Sequence, residues 1–340
     1  MYIIIYKMYF FDTNMEKDNP KSYAVAVEKN KKTIPIYIHK KKNDNKTMVK
    51  KSRYNFKYTD YDLLFKNNGI RGKQKAVILK QLEDMYFDNI TTDDEKMQSI
   101  YEEVKKQEDG KSLYQSDYKL IPVPRPNWFN VFYISGSSGS GKTKLLVNIV
   151  NEYLLLPQTK DMYRKQKRNT GEYPSIYLIS EKNKDAMIDD NLKNVVRLDV
   201  NSFIDDPITL DEFGQNDILI FDDYEGFKKT NIKIYNSIQS LLMKCMNLGR
   251  TKHLQVFIIR HDPTAGTDTK DLLREATHLV LYPESLSYHS MKYIGQQYLG
   301  LDTKEINLVK QIPSWVCFHN RKPKYIVTKD KIQLVKDMEK

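Results

Sequence analysis

The chain has 340 residues and a formal net charge of +11, enough for one large α/β domain with an appendage. Residues 1–60 contain 14 lysines and arginines against 6 aspartates and glutamates, which suits either contact with a polyanion or a solvated lysine-rich segment. Its two cysteines exclude a disulfide framework and a cysteine metal site. The apolar residues 1–11 are too few to span a bilayer and precede no signal-peptide cleavage site, so we expect a soluble intracellular protein without a transmembrane segment.

The first elements in chain order predict a small basic α+β region. Two short apolar runs around a polar turn indicate a β-hairpin over residues 22–38, in which Pro35 places the second strand at a sheet edge. After a basic loop, the spacing of apolar residues predicts two helices near residues 73–87 and 93–108.

The proline-rich run over residues 121–126 follows that region and cannot be helical. We expect a stiff extended linker there. The chain therefore divides into a basic N-terminal region, residues 1–120, and a second domain, residues 121–340.

Residues 131–150, VFYISGSSGSGKTKLLVNIV, predict a strand, a glycine-rich loop and an amphipathic helix. The loop GSSGSGKT satisfies the phosphate-loop pattern G-x-x-x-x-G-K-[ST] in full and predicts nucleotide binding. The predicted binding residues are Gly136, Ser137, Ser138, Gly139, Ser140, Gly141, Lys142 and Thr143.

The chemistry of a triphosphate explains these residue types. Glycines let backbone N–H groups approach the phosphate oxygens, and the positive end of the following helix points at the same oxygens. Lys142 supplies a positive charge for the β- and γ-phosphates, and the Thr143 hydroxyl is a ligand for Mg²⁺. The sequence therefore predicts ATP and Mg²⁺ as cofactors.

Strand-like runs recur after the loop, with helical patterns such as residues 234–248 between most of them. The predicted strands cover residues 175–180, 195–198, 218–221, 255–259, 278–282, 315–318 and 325–327. This alternation predicts an α/β fold, a P-loop NTPase with a mostly parallel sheet flanked by helices. Ligands of such sheets bind beyond the carboxyl ends of the strands, where the glycine-rich loop falls.

A second motif is the apolar run ILIF followed by Asp222 and Asp223. A carboxylate pair at the end of a strand is typical of a Walker B element. We assign Asp222 to Mg²⁺ and Asp223 to the attacking water, with Glu225 as a weaker candidate for the second role.

Two further polar positions follow. Arg250 comes after the next helix and is a candidate to stabilise the charge of the transition state, either in its own subunit or in a neighbouring one. His261 follows the next strand, where a polar side chain can sense the γ-phosphate.

The order of these motifs suggests a family. The sequence GSSGSGKT, then ILIFDDYEG, LGR, RHDPTAGTDTKDLL and EATHLVLYP, resembles the viral genome-packaging ATPases of the poxvirus and giant-virus type, in the FtsK–HerA superfamily. The resemblance covers roughly residues 128–320. Two positions depart from the family pattern, since Thr251 follows Arg250 and Arg260 precedes His261.

This resemblance implies an enzyme that hydrolyses ATP to ADP and phosphate and drives double-stranded DNA into a viral capsid. It implies a homo-oligomeric ring, contacts to the DNA phosphate backbone without sequence preference, and capsid or portal-vertex proteins as partners. The expected location is the host cytoplasm, in the viral factory, or the virion. The alternative is an ATP-driven assembly or secretion protein of the phage-extrusion type that does not act on DNA.

Overall fold

The computed structural model of the chain describes residues 9–13, 22–29, 33–40, 72, 75–78, 113–264 and 268–335. The chain divides into two compact units. One comprises Met1–Phe10 and Lys40–Tyr114, and the other comprises Phe11–His39 and Gln115–Lys340. Nearly all described residues belong to the second unit, so the hairpin predicted over residues 22–38 groups with the phosphate loop.

Little of the first unit is described. Residues 75–78, within the helix predicted over residues 73–87, are helical. The second predicted helix, residues 93–108, lies outside the described residues. The division into functional domains at residue 120 stays a prediction.

A small four-stranded sheet has the order β1-β3-β2-β5. Its strands are β1 (Tyr9–Asp12), β2 (Tyr23–Lys29), β3 (Thr33–Lys40) and β5 (Lys119–Pro122), and β4 (Leu113–Gln115) belongs to a second sheet. The antiparallel pair β2–β3 confirms the predicted hairpin.

Two sequence-based expectations about this small sheet are wrong. Pro35 does not lie on an edge strand, because β1 flanks β3 on the side away from β2. The expected linker over residues 121–126 begins as a strand, because the apolar Ile121 pairs with Val27 of β2 and the prolines start only at the strand end. Pro122 closes β5 opposite Ala26.

The hairpin is tied to the helix that follows the phosphate loop. Glu152 is 2% exposed, and its carboxylate lies 2.9 Å from the Lys29 Nζ atom. The Thr33 hydroxyl donates a 3.0 Å hydrogen bond to the same carboxylate. A buried carboxylate needs such partners, so the hairpin and the helix stabilise each other.

The large sheet has ten strands in the order β4-β14-β13-β12-β11-β6-β10-β9-β7-β8. From β11 to β8 all neighbours are parallel, whereas β11–β12, β12–β13 and β13–β14 are antiparallel. Its strands after β4 are β6 (Asn130–Ser135), β7 (Ile176–Ser180), β8 (Val195–Arg197), β9 (Ile218–Asp222), β10 (Gln255–Arg260), β11 (His278–Leu281), β12 (Val316–His319), β13 (Tyr325–Thr328) and β14 (Lys331–Leu334). The predicted mostly parallel sheet is confirmed.

Helices cover the sheet. They are α1 (Lys142–Leu155), α2 (Pro157–Thr170), α3 (Ala186–Asp189), α4 (Ser202–Asp205), α5 (Phe227–Thr230), α6 (Ile232–Leu248), α7 (Asp268–Glu275), α8 (Tyr288–Ile294) and α9 (Thr303–Lys310). None of the helices in the described ranges is long and apolar enough to cross a membrane.

The core follows the apolar pattern of the central strands. Strands β6, β9 and β10 are buried along their whole length, as expected for parallel strands covered on both faces. Helix α1 packs against β6 and β10. On one sheet face, Tyr133, Phe221 and Ile258 share a core cluster with Leu242 of α6. Strand β10 lies between β6 and β9, so the phosphate loop after β6 and the acidic pair after β9 meet at one edge of the sheet.

Candidate active site

The glycine-rich loop joins β6 to α1 and has the backbone shape that its glycines predict. Gly139 and Gly141 have φ angles of 76° and 95°, in the left-handed region that side chains disfavour. Gly136 is required for a different reason, because a Cβ atom there would lie 2.9 Å from the Cβ atom of Tyr282. The loop residues Ser137, Ser138, Gly139 and Gly141 are exposed, so a ligand can reach them.

Lys142 begins α1 and turns back over the loop. Its side chain is 6% exposed, and its Nζ atom donates hydrogen bonds of 2.8 Å to the carbonyl oxygens of Gly136 and Ser137. Burial lowers the pKa of this ammonium, while the charges of Asp223 and Asp222 oppose that shift. The positive charge of Lys142 therefore lies within the field of both carboxylates.

Asp222 ends β9 and is 1% exposed. Burial, followed by the negative charge of Asp223, raises the pKa of its carboxyl group to about 6. Neither of its oxygens has a hydrogen-bond partner among the described residues. A buried carboxylate of this kind can be satisfied by a hard cation, so Asp222 fits the role of a Mg²⁺ ligand.

Asp223 and His261 connect the acidic pair at the end of β9 to the phosphate loop. Asp223 has a φ angle of 51°, which turns its carboxylate out of the strand direction. Its Oδ1 atom lies 2.9 Å from His261 Nε2, and His261 Nδ1 lies 3.2 Å from Lys142 Nζ. The structure thus brings Lys142, His261 and Asp223 into one continuous contact.

Strand β9, which ends in the acidic pair, and strand β6, which leads into the phosphate loop and α1, are separated by a single strand, β10. The chain has the fold of a P-loop NTPase.

Glu225 lies in the 3₁₀ turn Tyr224–Gly226 of this P-loop fold, and its carboxylate is held by Arg260. The distance from Glu225 Oε1 to an Arg260 guanidinium nitrogen is 3.3 Å. Arg260 is fully buried, and burial by itself lowers its pKa, but Tyr224, Tyr133 and Glu225 raise it above its ordinary value. The Glu225 carboxylate therefore pairs with Arg260, whereas Asp223 is connected to Lys142 through His261.

Arg250 is not brought to the P-loop of its own chain. It is exposed in the 3₁₀ turn Gly249–Lys252, before the first residue of β10, whereas the P-loop lies beside the last residue of that strand. Six strand residues separate the two edges by about 20 Å. A cleft of about 650 Å³ lies at the Arg250 edge, with His253 in its lining.

Lys182 is a site residue that the sequence reading missed. Its Nζ atom donates a 2.8 Å hydrogen bond to Asp223 Oδ2, and this bond raises its pKa. It follows β7, the strand that pairs with β9 and brings Ser180 opposite Asp222. The signal was a basic residue two positions after a largely buried strand, at the edge where ligands of parallel sheets bind.

No protein-family model matches this P-loop chain. A Sputnik virophage protein named uncharacterized protein V3 is 26% identical over 212 residues, which cover 61% of the present chain and 78% of the virophage protein.

Solved structures similar to this P-loop chain include two in complex with ATPγS. For the conjugation coupling protein TcpA of pCW3, the identity is 12% and the TM-score 0.39, over 66% of this chain and 65% of that one. For the genome packaging NTPase B204 of Sulfolobus turreted icosahedral virus 2, the identity is 14% and the TM-score 0.33, over 61% and 97%.

A third is EccC of Thermomonospora curvata, ATPases 2 and 3 in complex with a signal sequence peptide, with 14% identity and a TM-score of 0.34 over 63% and 38%. The chain thus spans less than two thirds of the TcpA and EccC chains.

Proposed function

We propose that the protein is an ATP-hydrolysing motor that translocates double-stranded DNA into a viral capsid. The observation that carries the hydrolytic part is the contact from Lys142 through His261 to Asp223, beside the buried carboxylate of Asp222. A P-loop lysine and a Walker B carboxylate pair need this proximity to act on one triphosphate.

Each residue has a role in this proposal. The P-loop amides and Lys142 bind the β- and γ-phosphates of ATP, and binding exchanges the two carbonyl contacts of the ammonium for phosphate oxygens. Thr143 and Asp222 hold Mg²⁺, which neutralises charge on the phosphates when it is bound. The Asp222 carboxylate, buried and without a protein partner in the described ranges, supports this assignment.

Asp223 is the residue that orients the attacking water. Water forms the new bond to the γ-phosphorus, the bond to the β,γ-bridging oxygen breaks, and the water proton passes toward Asp223. The Lys182 ammonium and the His261 ring flank the Asp223 carboxylate and hold it in place. Glu225 is the weaker candidate, because its carboxylate already pairs with Arg260.

The assembly and partners belong to the same proposal. Arg250 lies at the edge of the sheet away from its own P-loop, so it can complete an active site only in a neighbouring copy, which favours a homo-oligomeric ring. The basic residues concentrated in positions 1–60 suit contact with DNA phosphates. Capsid or portal-vertex proteins are the expected docking partners, in the viral factory of the host cytoplasm or in the virion.

The competing proposal is an ATP-driven assembly or secretion protein of the phage-extrusion type that moves protein or membrane rather than DNA. The secretion ATPase EccC, whose solved complex contains a signal sequence peptide, is among the similar structures. Both proposals use the same nucleotide site, so only a response to the transported polymer separates them.

The decisive experiment measures ATP hydrolysis with and without long duplex DNA across a salt series. We expect DNA to stimulate turnover and salt to remove the stimulation, because contacts to DNA phosphates release counterions. Lys142→Ala serves as the inactive control. Turnover that is indifferent to DNA at every salt concentration would favour the alternative, and absence of ATP hydrolysis would contradict both.

A further inference from the structure

The turn after β9 and the end of β10 are joined by two parallel cross-links. Asp223 contacts His261 at 2.9 Å, and the next residue, Tyr224, accepts a 2.7 Å hydrogen bond on its hydroxyl from Arg260. Asp223 is followed in the chain by Tyr224, and His261 is preceded by Arg260, so the two pairs lie side by side. The Asp223–His261 pair faces the P-loop, and the Tyr224–Arg260 pair is buried in the core.

Arg260 is the centre of the buried pair. Its side chain is fully buried, and its guanidinium group reaches three residues in two elements. It donates to the Tyr224 hydroxyl, donates to Thr269 of α7 at 3.3 Å, and pairs with Glu225 at 3.3 Å. Its backbone carbonyl also accepts a 3.3 Å hydrogen bond from the N–H of Gly136, the first residue of the P-loop.

Tyr224 continues the connection on the other side. Its hydroxyl donates a 2.8 Å hydrogen bond to Gln239 of α6, and its ring stacks on Tyr235 with centroids 5.9 Å apart. The Tyr224 hydroxyl therefore both donates and accepts, so its position is fixed from two directions. Because Tyr224 is the neighbour of Asp223, this anchor also fixes the peptide that holds Asp223 in its left-handed conformation.

A buried arginine is costly unless all its partners are in place, and it is not needed to fill space. The two terminal nitrogens of Arg260 have such partners, whereas its Nε atom has none among the described residues. The contacts of the terminal nitrogens join the turn after β9 to the end of β10, so they fix the distance between the two strand ends.

We propose that Arg260 and Tyr224 are positioning residues for the hydrolytic step, which set the placement of Asp223 and His261 relative to the P-loop. This inference rests on the proposed ATPase function and extends it. Neither side chain belongs to the P-loop. Their loss would displace the water-orienting carboxylate and leave the nucleotide-binding loop in place, and small misplacements of a catalytic group cost large factors in rate.

The experiment compares Tyr224→Phe, Arg260→Met and Arg260→Lys with the wild-type protein in steady-state ATP hydrolysis and in direct nucleotide binding. We expect kcat to fall roughly 10- to 100-fold in Tyr224→Phe and Arg260→Met. KM and the Kd for ATPγS should stay within about threefold of wild type, because the P-loop keeps its ligands. Arg260→Lys should recover part of kcat, because an ammonium can still donate to Tyr224.

Two matched controls separate positioning from packing. Tyr298→Phe removes the 3.3 Å hydrogen bond between the hydroxyls of Tyr298 and Tyr293, a contact outside the Arg260 network. Arg125→Met removes a guanidinium that stacks 4.2 Å over Tyr23 and 4.2 Å over Trp128, at the edge away from the P-loop. Both should keep the wild-type kcat, whatever they do to the melting temperature.

The outcomes are distinct. If wild-type protein hydrolyses ATP and Tyr224→Phe and Arg260→Met match its kcat, the positioning role is overturned even if both variants melt earlier. If both variants lose nucleotide binding together with kcat, the residues support the whole fold and the proposal is again overturned. If the wild-type protein itself does not hydrolyse ATP, the proposed function fails first, and the inference falls with it.

Discussion

His261 Nε2 lies 2.9 Å from Asp223 Oδ1, while the other ring nitrogen of the same histidine faces the P-loop lysine at 3.2 Å. The histidine therefore bridges the group that would bind phosphate and the group that would orient water. Substitutions of Lys142 and of Asp223 should therefore differ in their effects on nucleotide binding and on hydrolysis.

Lys142→Ala and Asp223→Asn should separate binding from hydrolysis. Without the Lys142 ammonium the phosphates lose their main positive charge, so we expect nucleotide affinity and turnover both to collapse. With Asp223→Asn we expect ATP to stay bound while kcat falls roughly 10²- to 10⁴-fold, because the general base is lost. Equilibrium binding of ATPγS and steady-state hydrolysis measure the two effects.

Asp190 is exposed, so the Asp190→Asn variant serves as the control and should behave like wild type. Wild-type turnover in Asp223→Asn would show that another group orients the water. The same measurements on Glu225→Gln would then show whether Glu225 is that group.

Asp222→Asn should stabilise the fold while it abolishes Mg²⁺-dependent activity. The pKa of Asp222 is raised to about 6 by burial and by Asp223, so the folded state binds a proton more tightly than the unfolded chain. Stability therefore falls as pH rises between about 4 and about 6 and stays lower above that window. At about pH 8 the variant should gain about 2 kcal/mol in the free energy of unfolding.

Urea denaturation of both proteins across this range tests the sign. The advantage of Asp222→Asn should shrink as the pH falls through about 6 toward about 4, because the wild-type carboxyl then becomes protonated in the folded state. A variant that is less stable than wild type at about pH 8 would contradict the account of Asp222 as an unpaired buried carboxylate.

Arg250→Ala should be rescued by a second variant if Arg250 acts in a neighbouring subunit. We expect Arg250→Ala and Lys142→Ala each to be inactive alone, since one lacks the arginine and the other lacks the binding lysine. A mixture should regain activity, because a Lys142→Ala subunit still offers Arg250 to the intact P-loop of the next copy. Hydrolysis as a function of mixing ratio measures this complementation.

Arg164→Ala, which removes another exposed arginine, is the control for surface charge and should be active alone. Wild-type turnover by Arg250→Ala would remove this arginine from the mechanism. Inactive single variants whose mixture also stays inactive would contradict action between subunits.

His319 should make the fold sensitive to mild acid. Burial lowers its pKa to about 4, although the carbonyl of Pro323 opposes the shift. Burial also lowers the pKa of its neighbour His278 well below the ordinary value. Both are held neutral in the folded state, so the stability they contribute is present above about pH 6.5 and is lost as pH falls toward about 4. His319→Gln should therefore lose less stability over this window than wild type, measured by denaturation at each pH.

His289 is exposed, so the His289→Gln variant serves as the control and should show the wild-type dependence of stability on pH. An unchanged slope in His319→Gln would mean that His319 does not titrate with unfolding.

Much of the fold could be predicted because its signals are local. Strands such as β9 and β10 are unbroken apolar runs, which is the pattern of parallel strands buried on both faces. The phosphate loop is a contiguous motif whose glycines are needed for backbone angles, so Gly139 and Gly141 could be recognised without any partner. The Pro35 edge prediction failed because it depended on β1, a strand far away in the sequence.

The P-loop, the acidic pair and the alternation of strands and helices follow from the sequence alone, because each of these depends on residues adjacent in the chain. Which side chains meet depends on how the chain folds. Lys182 reaches Asp223 across 41 positions, and Arg260 pairs with Tyr224 across 36. Such contacts follow from strand order, which places β7 and β10 on either side of β9 and has no local sequence signal. Strand direction decided that Arg250 lies at the edge of the sheet away from the P-loop of its own chain.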